Sequence, residues 1–208
     1  MIKDYKTVKG IGRDELIEKK SRFIATVRPV TSEPEALALI NEMKKEFSDA
    51  THNVYAYIIR ENNIARFSDD GEPGGTAGMP VMEVLKQEEL TDVAVVVTRY
   101  FGGTLLGAGG LVRAYSKSAK LGIDAAGMAT MTYCAEVSIS VSYELYGRLR
   151  HMLEQENVTM GEALFGEDVS VTVFVRSDEV ESLRKKVTET TSDKALFTVE
   201  HTDYRLID

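Results

Sequence analysis

Asp69, Asp70 and Glu72 fall within one loop of the sequence. Clustered carboxylates supply the oxygen ligands that Mg²⁺ or Ca²⁺ prefers, but the spacing of an EF-hand is absent. Asp-Asp-Gly-Glu-Pro reads more naturally as turn chemistry, with aspartate bonding nearby backbone and glycine taking a positive φ. No metal and no cofactor is therefore expected. Arg113, Lys117 and Lys120 recur at i, i+4 and i+7, which stacks three positive charges on one face of a helix. With Arg99 nearby they could hold RNA phosphates; the alternative is a solvated surface neutralised by Asp69, Asp70 and Glu72.

Hydrolysis would need a histidine. Of the three in the chain only His52 lies near these residues, with Ser68 or Thr76 as the nucleophile. No G-x-S-x-G elbow surrounds Ser68, and a histidine preceding a strand is more often a structural hydrogen-bonding group than a base. The glycine loop 102–110 invites a phosphate site. However, Val112 stands where G-x-G-x-x-G needs its last glycine, and Ala108 where a P-loop needs lysine. These glycines read as tight turns that let a helix approach a sheet, with an anion nest as the alternative. Cys134 has no C-x-x-C partner and reads as a small buried side chain.

The elements that must position these residues follow from periodicity. Phe23, Ala25 and Val27 alternate with Arg22, Thr26 and Arg28, which predicts a strand ending at Pro29. Ser32 and Glu35 suit a capping box, and Leu37, Ile40, Met43 and Phe47 mark the buried face of the helix that follows. Residues 53–60 and 64–68 read as a hairpin turning at Glu61-Asn62-Asn63, followed by the loop 69–78 and a short helix over 79–87. Val93-Ala94-Val95-Val96-Val97 is apolar at every position, the pattern of a strand covered on both faces. A helix after the glycine loop would bury Leu111, Ala114, Ser118, Leu121 and Ala125.

Beyond residue 132 the periodicities give strand, helix, strand, strand, helix, strand over 134–141, 143–156, 158–165, 169–176, 178–190 and 195–204. This βαββαβ order is that of a ferredoxin-like sandwich. The fold expected is therefore α+β in two domains, 1–131 and 132–208.

Composition narrows the function classes. With 43% hydrophobic and 28% charged residues the chain is globular in type. Its first twenty residues carry charges and no apolar core, so neither export nor membrane association is expected, and a single cysteine fits a reducing cytoplasm. The net charge of −8 is uneven: residues 1–130 sum to −1 and 131–208 to −7. Any nucleic-acid contact should come from the N-terminal part, because the acidic part repels phosphate.

Asp69-Asp70-Gly71-Glu72-Pro73 with Gly75-Thr76-Ala77-Gly78, and Arg99-Tyr100-Phe101-Gly102-Gly103 with Leu106-Gly107 and Gly109-Gly110-Leu111, resemble the two signatures of the YigZ/IMPACT family. Lys20-Ser21-Arg22-Phe23-Ile24-Ala25 and Ala50-Thr51-His52-Asn53 resemble its opening strand and the segment before the next. The resemblance implies an N-terminal domain like the second domain of a small-subunit ribosomal protein, and a ferredoxin-like domain like one in elongation factor G. Eukaryotic relatives regulate the amino-acid-starvation kinase by competing for its ribosome-associated activator, and carry an RWD-type domain that this chain is expected to lack. The resemblance assigns no catalytic residue.

The leading expectation is a regulatory or interaction protein linked to translation through a protein or ribosomal partner. An RNA-binding module and a hydrolase-type enzyme at the acidic loop are the alternatives. The candidate binding surface is His52, Asp69, Asp70, Glu72, Thr76, Arg99, Tyr100, Arg113, Lys117 and Lys120.

Overall fold

The computed structural model describes residues 4–206. Backbone contacts divide the chain into a unit of Tyr5–Ala129 and a second made of residues 130–206 with Asp4. The first unit runs β1 (Tyr5–Val8), β2 (Gly12–Glu18), β3 (Ser21–Pro29), α1 (Glu33–Glu46), β4 (His52–Ile59), a 3₁₀ turn (Glu61–Asn63), β5 (Ile64–Ser68), α2 (Gly78–Gln87), β6 (Val93–Tyr100) and α3 (Ala108–Ala126). Its sheet has the order β2-β3-β6-β4-β5 with every neighbouring pair antiparallel.

The apolar run 93–97 is the middle strand, covered on both faces as its composition predicts. Ala94 and Val96 pack with Tyr57 and Ile59 against Leu39, Ile40 and Met43 of α1. Val93, Val95 and Val97 pack with Phe23, Ala25 and Val27 against Val81 and Leu85 of α2 and Tyr115, Ala119 and Ile123 of α3. Gly122 sets how closely α3 lies on the sheet: a Cβ there would fall 2.8 Å from Ala25 Cβ and 2.9 Å from Val27 Cγ2.

Four details depart from the sequence reading. The edge strand β2, whose residues are largely charged and exposed, carries no alternation to reveal it. In β3 the supposedly outward Thr26 is 1% exposed, because Arg13 of β2 lies over it, its Nε donating to Thr26 Oγ1 at 3.0 Å while its other nitrogens donate to Glu46 of α1. On α1 the buried set is Ala36, Leu39, Ile40 and Met43, and Leu37 turns to solvent. There is no capping box at Ser32: the Glu35 carboxylate accepts instead from the Thr31 N–H at 2.7 Å.

The second unit runs β7 (Met128–Val141), α4 (Tyr143–Leu153), β8 (Thr159–Phe165), β9 (Val169–Arg176), α5 (Val180–Thr191) and β10 (Leu196–Leu206). The strand order β10-β7-β9-β8, all antiparallel, is that of a ferredoxin-like sheet, as expected. Val137, Ile139, Val171 and Val173 pack against Leu149, Leu153, Leu183 and Val187 of its two helices.

Candidate binding cleft of the N-terminal unit

One rung of the sheet places the charged centre. Phe23 of β3 and His52 of β4 both stand opposite Arg99 of β6. Arg99 points to the α3 side, as Val97 and Val95 do, and is 5% exposed. Its guanidinium donates to Glu72 Oε1 at 2.6 Å and to Ser21 Oγ at 3.3 Å, and stands over the rings of Phe23 and Phe101 at 5.3 and 5.6 Å from their centroids. Its Nε is buried without a hydrogen-bond partner. The Tyr115 hydroxyl, one turn beyond Leu111 on α3, donates to the same Glu72 oxygen at 2.8 Å. Burial and the adjacent Glu72 charge push the Tyr115 phenol far up, so it remains a neutral donor.

His52 completes this floor. Its Nδ1 lies 2.8 Å from the carbonyl oxygen of Asp70, so Nδ1 carries the proton and Nε2 faces Glu72 Oε1 at 3.8 Å. Above the floor opens a cleft of roughly 430 Å³. Its lining brings Thr51, His52, Glu72, Pro73 and Arg99 together with the apolar Phe101, Leu105, Leu106, Ala108 and Leu111. Phe101 is 46% and Leu105 83% exposed at its rim. The loop carrying them is pinned where Gly102 crosses β3: a Cβ there would come within 2.0 Å of the Lys20 carbonyl, and the Gly102 N–H donates to Ser21 Oγ at 3.2 Å.

The acidic loop divides three carboxylates among three tasks. Asp69 accepts from the N–H groups of Gly75, Ala77 and Gly78 at 2.9, 3.1 and 2.8 Å, which folds the loop and caps α2. Asp70 accepts from the Asn53 N–H at 2.6 Å and pairs with Lys44 at 3.0 Å. Only Glu72 turns inward. Among the described residues no three His, Cys, Asp or Glu side chains are grouped to hold a metal ion. Nor do these carboxylates neutralise the basic helix face, as the sequence reading allowed.

That face splits. Lys120 pairs with Asp124 at 2.8 Å and Glu88 at 3.1 Å. Arg113 and Lys117 instead line a smaller cavity of roughly 200 Å³ with Lys19, Glu18, Leu16 and Leu106. The apolar face of α3 is also turned from the one expected: Tyr115, Ala119, Gly122, Ile123 and Ala126 are buried with Leu111, Ala114 and Ser118, while Ala125 is exposed.

Of the sequence candidates, His52, Glu72 and Arg99 meet at the cleft. Asp69, Asp70 and Thr76 hold the loop, the Thr76 hydroxyl donating to the Pro73 carbonyl at 2.7 Å. The Tyr100 hydroxyl donates to Asp49 at 2.7 Å on the exposed side. The Ser68 hydroxyl accepts from the Asp70 N–H at 3.1 Å, so neither proposed nucleophile is hydrogen-bonded to His52. Tyr115, Phe101 and Leu105 were not among the candidates. Tyr115 had a usable signal, since a tyrosine within an apolar stripe needs a partner for its hydroxyl. Phe101 sits in the second motif and Leu105 in the gap between its parts, where composition does not distinguish an exposed apolar side chain from a buried one.

A five-stranded antiparallel sheet between helices, with a buried Glu-Arg-Tyr floor under an apolar rim, frames a cleft on an α+β unit, followed by a ferredoxin-like unit. A model of the Impact N-terminal domain matches residues 19–123, and a model of a domain of unknown function (DUF1949) matches residues 139–194. The IMPACT family member YvyE of Bacillus subtilis is 40% identical over 196 residues, covering 94% of this chain and 90% of that protein. The IMPACT family member YigZ of Escherichia coli is 41% identical over 100 residues, covering 47% of this chain and 49% of that protein. A solved structure described as that of a hypothetical protein aligns with TM-score 0.61 at 24% identity over 97% of this chain and 99% of its own, a likeness of fold. The chain belongs to the IMPACT family.

Proposed function

We propose that this protein is a cytoplasmic binding protein of translation or its regulation, which holds a ribosomal or ribosome-associated partner at the cleft of its N-terminal unit. The observation that carries this reading is the contrast between floor and rim. The floor charges compensate one another, Glu72 being met by Arg99 and Tyr115. The rim leaves Phe101 and Leu105 uncovered at the mouth of the cavity. Exposed large apolar side chains around a concavity mark interaction sites. The link to translation comes from the family resemblance, and no group in the cleft stands as an activated nucleophile.

Site-specific photo-crosslinking in growing cells tests the reading. A benzoylphenylalanine at position 105 should cross-link to ribosomal components or translation factors, and the same group at position 164, exposed in the other unit, should not. Cross-links from position 105 that scatter over abundant proteins as those from position 164 do would end the proposal.

A further inference from the structure

Building on that reading of the cleft, we propose that what enters it is one nucleotide of a single RNA strand, the base resting on Phe101 and the adjoining phosphates lying over Arg113 and Lys117. The Phe101 ring has the Arg99 guanidinium on one side, 5.6 Å from its centroid, and is 46% exposed. That leaves aromatic surface open for a second flat group. Arg99 also lines the cleft, 5% exposed, and its guanidinium backs the inner face of that ring.

The neighbouring cavity shares Leu106 with the cleft, so the two adjoin on the same surface. Lys19, Arg113 and Lys117 face it with one carboxylate, Glu18. Among the described residues no ion pair engages these three cations, in a protein with 33 acidic against 25 basic residues. One turn further on, Lys120 is held by two carboxylates, so the bare cations are a local feature and not the general state of the helix. Arg113 reaches back along α3: its Nη1 lies 3.7 Å from where a Cβ of Gly109 would stand. A cation in the first turn of a helix opposes the helix dipole, and an anion beside it reverses the sign of that interaction.

An aromatic platform followed by unpaired cations is the arrangement that takes a single strand, whose bases are free to leave the stack and whose phosphates repeat beside them. A duplex keeps its bases stacked and would leave the cleft empty. An acidic peptide would satisfy the cations without using the ring.

The test is fluorescence anisotropy on the full chain with 5′-labelled twelve-nucleotide oligouridylate and oligoadenylate. A duplex RNA, oligoglutamate and free adenosine or uridine monophosphate serve as competitors. Neutralising two phosphates predicts that affinity falls about sevenfold between 50 and 200 mM salt. Phe101→Ala should weaken binding about fivefold or more. The Arg113→Glu/Lys117→Glu variant should abolish it, and Lys185→Glu, exposed in the other unit, should leave it within about twofold, with circular dichroism spectra like that of the wild type showing that each variant is folded. Salt-insensitive binding, or Phe101→Ala and Arg113→Glu/Lys117→Glu binding like the wild type, would overturn the proposal. So would displacement by oligoglutamate as readily as by RNA. Displacement by a monophosphate at the oligonucleotide's own concentration would replace the strand with a free nucleotide. If position 105 still cross-links to translation components while the oligonucleotides fail, the RNA strand is rejected and the cleft remains a partner site. Oligonucleotide binding without those cross-links would reject the translational reading instead.

Discussion

Replacing Arg99 by Met tests how the floor of the cleft is held. The Glu72 and Arg99 side chains are 4% and 6% exposed and their charged atoms lie 2.6 Å apart. In Arg99→Met the Glu72 carboxylate stays buried with Tyr115 as its remaining short partner and no compensating charge. Breaking a buried pair from one side costs about 3–5 kcal/mol. Glu72→Leu strands the guanidinium in the same way and also removes the acceptor of the Tyr115 hydroxyl, adding about 1–3 kcal/mol. With both replaced no orphan charge remains. The double variant should therefore be less destabilised than the two single variants together, with a coupling of about 2 kcal/mol or more. The Lys6–Glu89 pair is equally short at 2.6 Å but 50% and 74% exposed, and should contribute below about 1 kcal/mol. Native-state hydrogen exchange of the β6 amides, which report on this unit alone, supplies the four free energies of the cycle. Single-variant costs no larger than that of the surface pair, or costs that add within about 0.5 kcal/mol, would show that burial does not govern this interaction.

Asp69→Ala should cost about 1–2 kcal/mol by urea unfolding, because three backbone N–H groups lose their acceptor, and Asp69→Asn should cost less since it keeps one oxygen; equal losses would show that charge alone matters there. Gly122→Ala gains about 1 kcal/mol of helix propensity but forces a methyl into Ala25 and Val27, so a net loss of about 1–2 kcal/mol is expected; a stabilised variant would mean that α3 can lift off the sheet freely. Spectrophotometric titration should find Tyr5 and Tyr57 ionising only near 12, raised first by burial and then by Asp92 and Glu33 respectively, with Tyr115 silent until unfolding. Because these folded values lie above the unfolded value of 10.0, their stabilisation is complete below pH 10 and is lost as pH rises toward 12. Simultaneous ionisation of all nine tyrosines near pH 10 would contradict this.

What could be read from the sequence was what a single element decides. The run 93–97 announced its two covered faces because apolar residues at consecutive positions cannot all point one way on a strand. The ferredoxin-like order emerged because each element after residue 132 carries its own period. The strand β2 was invisible because an exposed edge leaves hydropathy unconstrained. The face of α3 was misjudged for a related reason: small residues lie all around that helix, and the neighbours that select Gly122 and Ala126 come from β3 and β2. The cleft is a product of three segments far apart in sequence. His52, Glu72 and Arg99 were legible as polar residues in motifs, but their meeting depends on the strand order β3-β6-β4, which no local pattern encodes.

That division of labour governs which substitutions inform about binding. The polar residues of the two motifs invite mutation, yet Asp69 caps α2, Asp70 fastens the loop to β4, and the Glu72–Arg99 pair is almost wholly buried. A variant such as Asp69→Ala/Arg99→Ala would lose partners by loosening the unit, and its failure would not separate recognition from folding. Phe101, Leu105, Arg113 and Lys117 are exposed, and their side chains support little of the core. Surface changes of this kind alter stability by about 0.5 kcal/mol or less. If the cleft binds a partner, affinity should therefore follow the rim residues while stability follows the floor. A set of variants in which the two quantities fall together would show instead that the rim is part of the fold.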